Sequence, residues 1–168
     1  MTFLASKWFL LLGLLITVLT VLYVVGKKSV HSEVVVSASA QQVWSVLMDT
    51  DHYADWNQVL VPIAGSLNEG EKVTYRFHQD ADNTYEIQSR VKKIVTNKLL
   101  NQGGGMPGFL AFDHRYELTS TPEGTRITIH EDYRGIAVWF WNPEAVKAAY
   151  VRLNQQLKER VLEVYGNE

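Results

Sequence analysis

The sequence predicts an α+β fold, in which an antiparallel β-sheet packs against one long C-terminal α-helix and a separate apolar helix precedes the domain. Three observations predict it: a charge-free run from Trp8 to Val25, alternating apolar residues between positions 72 and 135, and an amphipathic stretch from Asn142 to Tyr165. The strands are not interleaved with helices, as a parallel sheet would require. We therefore predict an N-terminal membrane anchor over residues 1–28 and one folded domain over residues 29–168.

The N-terminal run is long enough to cross a membrane as a helix. Its 18 residues would span roughly 27 Å, close to the hydrocarbon thickness of a bilayer. A cleaved signal peptide is the alternative, but its apolar region is usually shorter, and the nearest small-x-small site, Ala38–Ala40, lies inside the expected first strand and helix. We predict a single-pass membrane protein, and Lys7, Lys27 and Lys28 flank the run on both sides, so they leave its orientation open.

The domain is expected to begin with a strand followed by short helices. Val30–Ser37 is rich in valine, and Ser39 with Gln42 forms a capping box for a helix whose inward residues are Val43, Val46 and Leu47. Asp51–Trp56 is expected to add another helical turn or two. About five residues separate Val25 from this first strand, a reach of at most roughly 18 Å, so the domain is expected to lie close to the bilayer.

A series of strands follows the short helices. Lys72–Phe77 alternates, Asp80–Asn83 has the residues of a turn, and Tyr85–Val91 alternates again, which predicts a hairpin. Lys98–Gln102 is a further strand candidate, and we interpret Gly103–Gly108 as a flexible connection.

The last predicted hairpin joins the face of Phe112, His114, Tyr116 and Leu118 to a strand over Thr125–Gly135. If Glu123 and Gly124 are the two loop residues, Tyr116 stands opposite Glu131, with His114 and Leu118 as diagonal neighbours. A carboxylate then points the same way as the apolar residues, whereas Asp132 faces the opposite side.

The C-terminal stretch has the three- and four-residue spacing of an amphipathic helix. Asn142 is expected to cap its first turn, with Pro143 at the first helical position and Glu144 at the positive end of the helix dipole. Its apolar stripe consists of Val146, Ala149, Tyr150, Leu153, Leu157, Val161 and Val164. The preceding strands are the candidate surface on which this stripe packs.

Composition excludes several functions. A net charge of −2 without a dense basic run gives no electrostatic footprint for nucleic acid. The chain has no cysteine, and its five histidines show no metal-ligand spacing, so we predict neither a metal site nor a cofactor. No GxSxG motif is present for a hydrolase, and neither a lysine nor a helix follows the glycine run as in a phosphate-binding loop.

Several short motifs together resemble those of a known superfamily. They are Val36–Trp44 with Asp49, Tyr53–Asn57, Leu67–Gly70, His114–Leu118, Gly124–Arg126 and Glu131–Gly135. The pattern resembles the START-like or SRPBCC helix-grip superfamily, particularly its polyketide cyclase/dehydrase-like and lipid-transport branches, over Glu33 to about Val164. Ala40 and Gln58 depart from it, since both positions often hold proline in the family.

The resemblance implies a curved antiparallel sheet that grips the C-terminal helix, with a hydrophobic cavity between them. It does not imply one function, because members include lipid and steroid carriers, quinone-binding proteins, cyclases and chaperone regulators.

Glu131 and His114 are the candidate polar residues of this cavity. A carboxylate on an apolar face is costly unless it is paired, so Glu131 is either part of a site or a hydrogen-bonded wall residue, and we favour the second interpretation. The two residues would also suit general acid–base work on a carbonyl substrate, which makes a cyclase or isomerase the first alternative.

We predict that the protein binds a hydrophobic molecule, such as a lipid, a quinone or a polyketide-like compound, and exchanges it with membrane lipids. A second alternative is a protein-interaction module whose own aromatic side chains fill the cavity. The predicted lining consists of Tyr75, Phe77, Tyr85, Ile87, Phe112, His114, Tyr116, Glu131, Tyr133, Tyr150 and Leu153.

Overall fold

The computed structural model describes residues 2–166 and has the predicted α+β architecture. Met1, Asn167 and Glu168, which the predicted domain boundaries include, lie outside these residues. The elements are α1 (Thr2–Val25), β1 (Lys27–Val36), α2 (Ala40–Met48), α3 (Tyr53–Trp56), β2 (Leu60–Gly65), β3 (Lys72–His78), β4 (Thr84–Val95), β5 (Leu99–Met106), β6 (Leu110–Thr121), β7 (Gly124–Arg134) and α4 (Glu144–Tyr165), with 3₁₀ helices at Thr50–His52 and Ile136–Phe140.

The seven strands form one curved antiparallel sheet in the order β1-β7-β6-β5-β4-β3-β2. Strands β2 to β7 are a meander, and β1 joins its far edge by pairing with β7. The predicted antiparallel sheet is therefore confirmed.

Helix α4 lies against the inner face of the sheet through its apolar stripe. Every stripe residue except Val164 is buried, as the three- and four-residue spacing predicts. Two hydrogen bonds fix α4 to β1: Asn154 Nδ2 donates to Ser32 Oγ at 2.9 Å, and Ser32 Oγ donates to the carbonyl of Tyr150 at 3.3 Å. The predicted packing of the terminal helix on the strands is confirmed.

The residues that cap the N-termini of α2 and α4 are those that the sequence predicts. Ser39 and Gln42 form the predicted capping box, with Gln42 Oε1 2.8 Å from the amide of Ser39. At α4, the amide of Glu144 donates to Asn142 Oδ1 at 3.1 Å, as predicted, but the helix begins at Glu144 and not at Pro143.

Two predictions about the strands are wrong, and one strand is not predicted at all. The unpredicted strand is β2, which contains Pro62 and forms the edge of the sheet, where a missing N–H is tolerated. Gly103–Gly105 belong to β5 and are not a flexible connection. The β6–β7 loop consists of Pro122 and Glu123, so that His114 stands opposite Glu131 and Tyr116 stands opposite Ile129.

The N-terminal helix and the sheet are almost contiguous. Strand β1 begins at Lys27, three residues before the predicted start, so only Gly26 separates it from α1. Residues Lys7–Val25 have a mean hydropathy of 2.6, and none of this span is buried against the domain. The helix therefore has the length and composition of a single-pass anchor or of a signal sequence.

Candidate functional site

A cavity of about 430 Å³ lies between the inner face of the sheet and α4. Strands β2 to β7, helix α4 and two loop residues, Gln79 and Trp141, supply its walls. The lining consists of Leu60, Tyr75, Phe77, Gln79, Tyr85, Ile87, Ser89, Gln102, Gly105, Leu110, Phe112, His114, Glu131, Tyr133, Trp141, Val146 and Tyr150. This volume is within the range of small-molecule sites. The alternative in which aromatic side chains fill the space is therefore not realised.

Nine of the eleven predicted lining residues border this cavity. Tyr116 and Leu153 do not, because they are packed in the hydrophobic core, with the ring of Tyr116 at 4.9 Å from that of His114. The strand alternation and the α4 stripe correctly indicated which faces point inward, whereas the depth of each residue depends on packing. A ligand-binding role for any of these residues stays a prediction.

Glu131 is fully enclosed and hydrogen-bonded by two tyrosines. Tyr133 Oη donates to its Oε2 at 2.8 Å, and Tyr150 Oη, from α4, donates to the same oxygen. Burial, followed by the negative charge of Glu131, raises the pKa of both tyrosines well above the usual value. Both hydroxyls therefore stay protonated and act as donors to the carboxylate.

His114 lies beside this carboxylate without a hydrogen bond to it. Its Nδ1 is 3.7 Å from Glu131 Oε2, and its ring contacts the rings of Tyr116 and Tyr150 edge-on at 4.9 Å and 5.2 Å. Its Nε2 is buried and has no hydrogen-bond partner among the described residues. The imidazole is thus held by packing, with one ring nitrogen unsatisfied at the wall of the cavity.

Four polar residues of the wall lie on four neighbouring strands, and three of them stand directly opposite one another. Glu131 on β7 stands opposite His114 on β6, and His114 stands opposite Gln102 on β5. Gln102 is 2 % exposed, and its Oε1 accepts a hydrogen bond from Tyr75 Oη at 2.8 Å. On β4, the buried Oγ of Ser89 has no partner among the described residues. We refer to Glu131, His114, Gln102 and Ser89 as the polar row.

Sequence reasoning missed Gln102 and Ser89 as wall residues. Ser89 occupies an inward position of the predicted strand, but a lone serine in an alternating strand has little signal. Gln102 was placed at the end of a strand beside a presumed loop. Extension of that strand through the glycines would have put Gln102 on the inner face beside His114.

The glycines of β5 allow an aromatic ring to cover the strand. Gly104 pairs with Phe112, and a Cβ built at Gly104 would lie 2.8 Å from the Phe112 ring and 2.3 Å from the carbonyl oxygen of Gln88. A side chain is therefore excluded here by close packing. Gly105, with φ of +83°, borders the cavity directly.

The outer face of the same strands carries ion pairs. Asp132 points away from the cavity, as predicted, where Arg115 donates to Oδ2 and His130 Nε2 lies 3.0 Å from Oδ1. Within residues 2–166, no group of three or more histidine, cysteine, aspartate or glutamate side chains is arranged to hold a metal ion.

The chain was compared with protein families, curated proteins and solved structures. The family model "Polyketide cyclase / dehydrase and lipid transport" matches residues 27–162. No curated protein matches the chain. Its fold is similar to that of the ZhuI aromatase/cyclase from Streptomyces sp. R1128, with 14% identity, a TM-score of 0.67 and coverage of 84% of this chain and 98% of that one.

Two further solved structures have the same fold. Norcoclaurine synthase from Thalictrum flavum shows 17% identity and a TM-score of 0.62, with coverage of 82% of this chain and 87% of that one. Ara h 8.0201 shows 11% identity and a TM-score of 0.63, with coverage of 82% of this chain and 99% of that one. At such identities the likeness concerns the fold alone.

Proposed function

Because the chain belongs to the polyketide cyclase/dehydrase and lipid transport family, we propose that it is a membrane-tethered binding protein for a hydrophobic small molecule. The molecule, a lipid, a quinone or a polyketide-like compound, occupies the cavity between the sheet and α4. One observation carries the proposal: His114 lines an otherwise largely apolar cavity, and its buried Nε2 has no partner among the described residues.

An unpaired buried polar atom costs about 1–3 kcal/mol, and a ligand that bonds to it recovers this free energy. With the proton of the imidazole on Nδ1, towards Glu131, Nε2 accepts a hydrogen bond from a ligand hydroxyl. With the proton on Nε2, the ring donates to a carbonyl or a quinone oxygen. Ser89 Oγ offers a second partner on the opposite part of the row.

The remaining walls favour an apolar body. Phe77, Ile87, Phe112 and Val146 line the cavity together with several tyrosine rings. Each 100 Å² of apolar ligand surface that leaves water contributes about 2.5 kcal/mol to binding. The ligand class is therefore a mainly apolar molecule with one or two oxygen atoms placed to reach the polar row.

The tether is proposed from α1, because its charge-free length suits a bilayer and only Gly26 separates it from the sheet. An apolar ligand is concentrated in the bilayer, so a cavity held beside the membrane exchanges its contents there and not with water.

The test compares the full chain with a cavity-filling variant. The full chain, extracted from its membrane, is examined by native mass spectrometry for a bound small molecule. Ser89→Leu fills the cavity and removes an unpaired hydroxyl, so it is expected to lose the bound molecule while the melting temperature is maintained. Gln88→Leu, on the exposed side of the same strand, is the matched control and is expected to retain the molecule.

A decyl-substituted benzoquinone, titrated into delipidated protein, serves as a defined probe. The absence of both a co-purified molecule and probe binding in the wild-type chain would refute the binding function. Alkaline carbonate extraction of the membrane fraction tests the tether separately, because a peripheral or soluble protein is released.

An enzyme of the cyclase or isomerase type is the second candidate. It is favoured by the same unpaired Nε2, which is placed to accept or donate a proton at the cavity wall. Glu131 is less available as a base, because its Oε2 already accepts two tyrosine hydroxyls. Chemical conversion of the co-purified molecule by the wild-type chain, and its loss in His114→Gln with binding retained, would identify the enzyme.

A further inference from the structure

The end of α1 is joined by hydrogen bonds to the segment between β7 and Trp141. The indole Nε1 of Trp139 donates to the carbonyl of Leu22 at 2.9 Å, and the amide of Gly135 donates to the carbonyl of Gly26 at 3.1 Å. The first bond starts from the 3₁₀ helix Ile136–Phe140 and ends in the last turn of α1, and the second joins the residues that precede the 3₁₀ helix and follow α1. The end of α1 is therefore held against the segment that follows β7.

The turn between β5 and β6 belongs to the same surface. The amide of Ala137 donates to the carbonyl of Phe109 at 2.9 Å, and the amide of Ile136 donates to the carbonyl of Gly108 at 3.2 Å. Three chain segments that are distant in sequence thus meet: the end of α1, the β5–β6 turn and the segment that follows β7.

Four large apolar side chains on these segments are exposed. Outside α1, Phe140 at 85 %, Met106 at 64 % and Phe109 at 56 % are the most exposed large apolar residues that the structure describes, and Trp139 is 50 % exposed. We call Met106, Phe109, Trp139 and Phe140 the apolar patch. An apolar cluster of this kind next to a membrane-length helix is typical of a surface that enters a lipid interface.

The apolar patch adjoins residues that line the cavity. Gly105 and Leu110, on either side of the β5–β6 turn, line the cavity. Trp141, which follows Phe140, also lines it, and its ring lies tilted against that of Tyr133 with the centroids 4.2 Å apart. Lys27 and Arg134 pair in the β1–β7 register, are exposed and lie next to the end of α1. Basic side chains at the end of a membrane-length helix can attract the phosphate groups of lipids.

We propose that the apolar patch inserts into the bilayer that α1 spans, so that the cavity rim formed by Leu110 and Trp141 faces the membrane. The proposal rests on the membrane tether and deepens it, because it states which face of the domain lies on the lipid. An inserted ring is expected at about 5–10 Å into the boundary between headgroups and acyl chains.

The absence of cysteine permits a direct test on the full chain. Phe109→Cys and Phe140→Cys are labelled singly with a nitrobenzoxadiazole fluorophore and reconstituted in nanodiscs of phosphatidylcholine and phosphatidylglycerol. The matched control is Val164→Cys, which is 45 % exposed near the far end of α4 and about 30 Å along the helix from Glu144.

We expect a blue shift of the emission at positions 109 and 140, and loss of fluorescence when the phosphatidylcholine is spin-labelled near the headgroup end of its chain. Position 164 is expected to keep the emission of a label in water. Equal emission and equal quenching at all three positions would overturn the proposal. A blue shift without quenching by the lipid would also overturn it, because a second protein surface would then cover the patch.

This readout does not depend on an occupied cavity. Failure of the binding function leaves the quenching at positions 109 and 140 unchanged. Release of the unlabelled chain by alkaline carbonate, in contrast, would refute the tether itself.

Discussion

His114 stands directly opposite Glu131 across the β6–β7 pair, and its Nδ1 lies 3.7 Å from the oxygen that two tyrosine hydroxyls already bond. The carboxylate is therefore satisfied, whereas the imidazole is not. Of the two predicted polar residues, Glu131 accepts two hydrogen bonds, whereas the buried Nε2 of His114 has no hydrogen-bond partner among the described residues.

Replacement of His114 by phenylalanine is expected to preserve stability and weaken binding. The new ring keeps the edge-on contacts with Tyr116 and Tyr150 and removes a buried nitrogen that has no partner among the described residues. We expect the free energy of unfolding to be unchanged or higher by about 1 kcal/mol. Denaturant unfolding measures this change, and native mass spectrometry is expected to show less bound molecule. A clear loss of stability in His114→Phe would show that the imidazole has a structural partner.

Glu131 and Tyr150 are expected to be energetically coupled. Tyr150→Phe removes a hydrogen bond to a buried carboxylate and is expected to cost about 1.5–3 kcal/mol of unfolding free energy. Glu131→Gln is expected to cost a similar amount, and the double variant less than the sum of both. Tyr85→Phe, half-exposed on the cavity wall, is the control with no expected change. Strict additivity of the two substitutions would contradict a shared hydrogen bond.

The sequence determined much of this site because alternation and helical spacing are properties of the chain itself. The inward positions of β6, β7 and α4 followed from periods of two and of three to four residues. The assumed β6–β7 loop displaced the register by two residues, which brought Tyr116 and not His114 opposite Glu131. A two-residue shift leaves each side chain on its original face of the sheet. His114 and Glu131 were therefore still predicted to point into the cavity, although the register was wrong.

Other features leave little trace in a single sequence. Gly103–Gly105 carry no side chains, so no alternation could mark them as part of β5, and Gln102 was lost with them. Strand β2 is short and contains Pro62, which is acceptable only because the segment lies at the sheet edge. The cavity volume depends on how far α4 stands from the sheet, a distance that the packing of many large rings decides.

Alkaline pH is expected to destabilise the protein through its buried tyrosines. Burial is the first cause that raises the pKa of Tyr53, Tyr75, Tyr116, Tyr133 and Tyr150. Near pH 11 the unfolded chain loses these protons, since an ordinary tyrosine has a pKa of about 10, whereas the folded chain keeps them. At this pH, the ionisation of each such tyrosine in the unfolded chain lowers the unfolding free energy by about 1 kcal/mol.

The buried tyrosines therefore contribute fully to the unfolding free energy below about pH 10. This contribution is lost as the pH rises towards the higher tyrosine pKa values of the folded state. Denaturant unfolding between about pH 8 and pH 11, a range that includes the ordinary tyrosine pKa, measures the loss of unfolding free energy. Absorbance near 295 nm, where tyrosinate absorbs, is expected to show five tyrosines that ionise only on unfolding. Full ionisation of all eight tyrosines in the folded protein would contradict the expectation.

The close approach of Gly104 and Phe112 is expected to make alanine unacceptable at position 104. Gly104 does not have a positive φ, so the penalty is steric: the new Cβ would meet the Phe112 ring at 2.8 Å and the Gln88 carbonyl at 2.3 Å. We expect Gly104→Ala to lower the unfolding free energy by about 1–3 kcal/mol. Phe112→Ala removes one of these two contacts, so the double variant is expected to lose less than the sum of the single losses.

We expect the same pair to influence how much ligand the cavity holds, because Phe112 lines it. If the Cβ at position 104 pushes the Phe112 ring into the space that it now borders, Gly104→Ala also reduces the amount of bound molecule, and Phe112→Ala restores it. Native mass spectrometry of the two single variants and the double variant measures this occupancy. Unchanged occupancy and additive stability losses would show that the ring moves to the outer side of the sheet, away from the cavity.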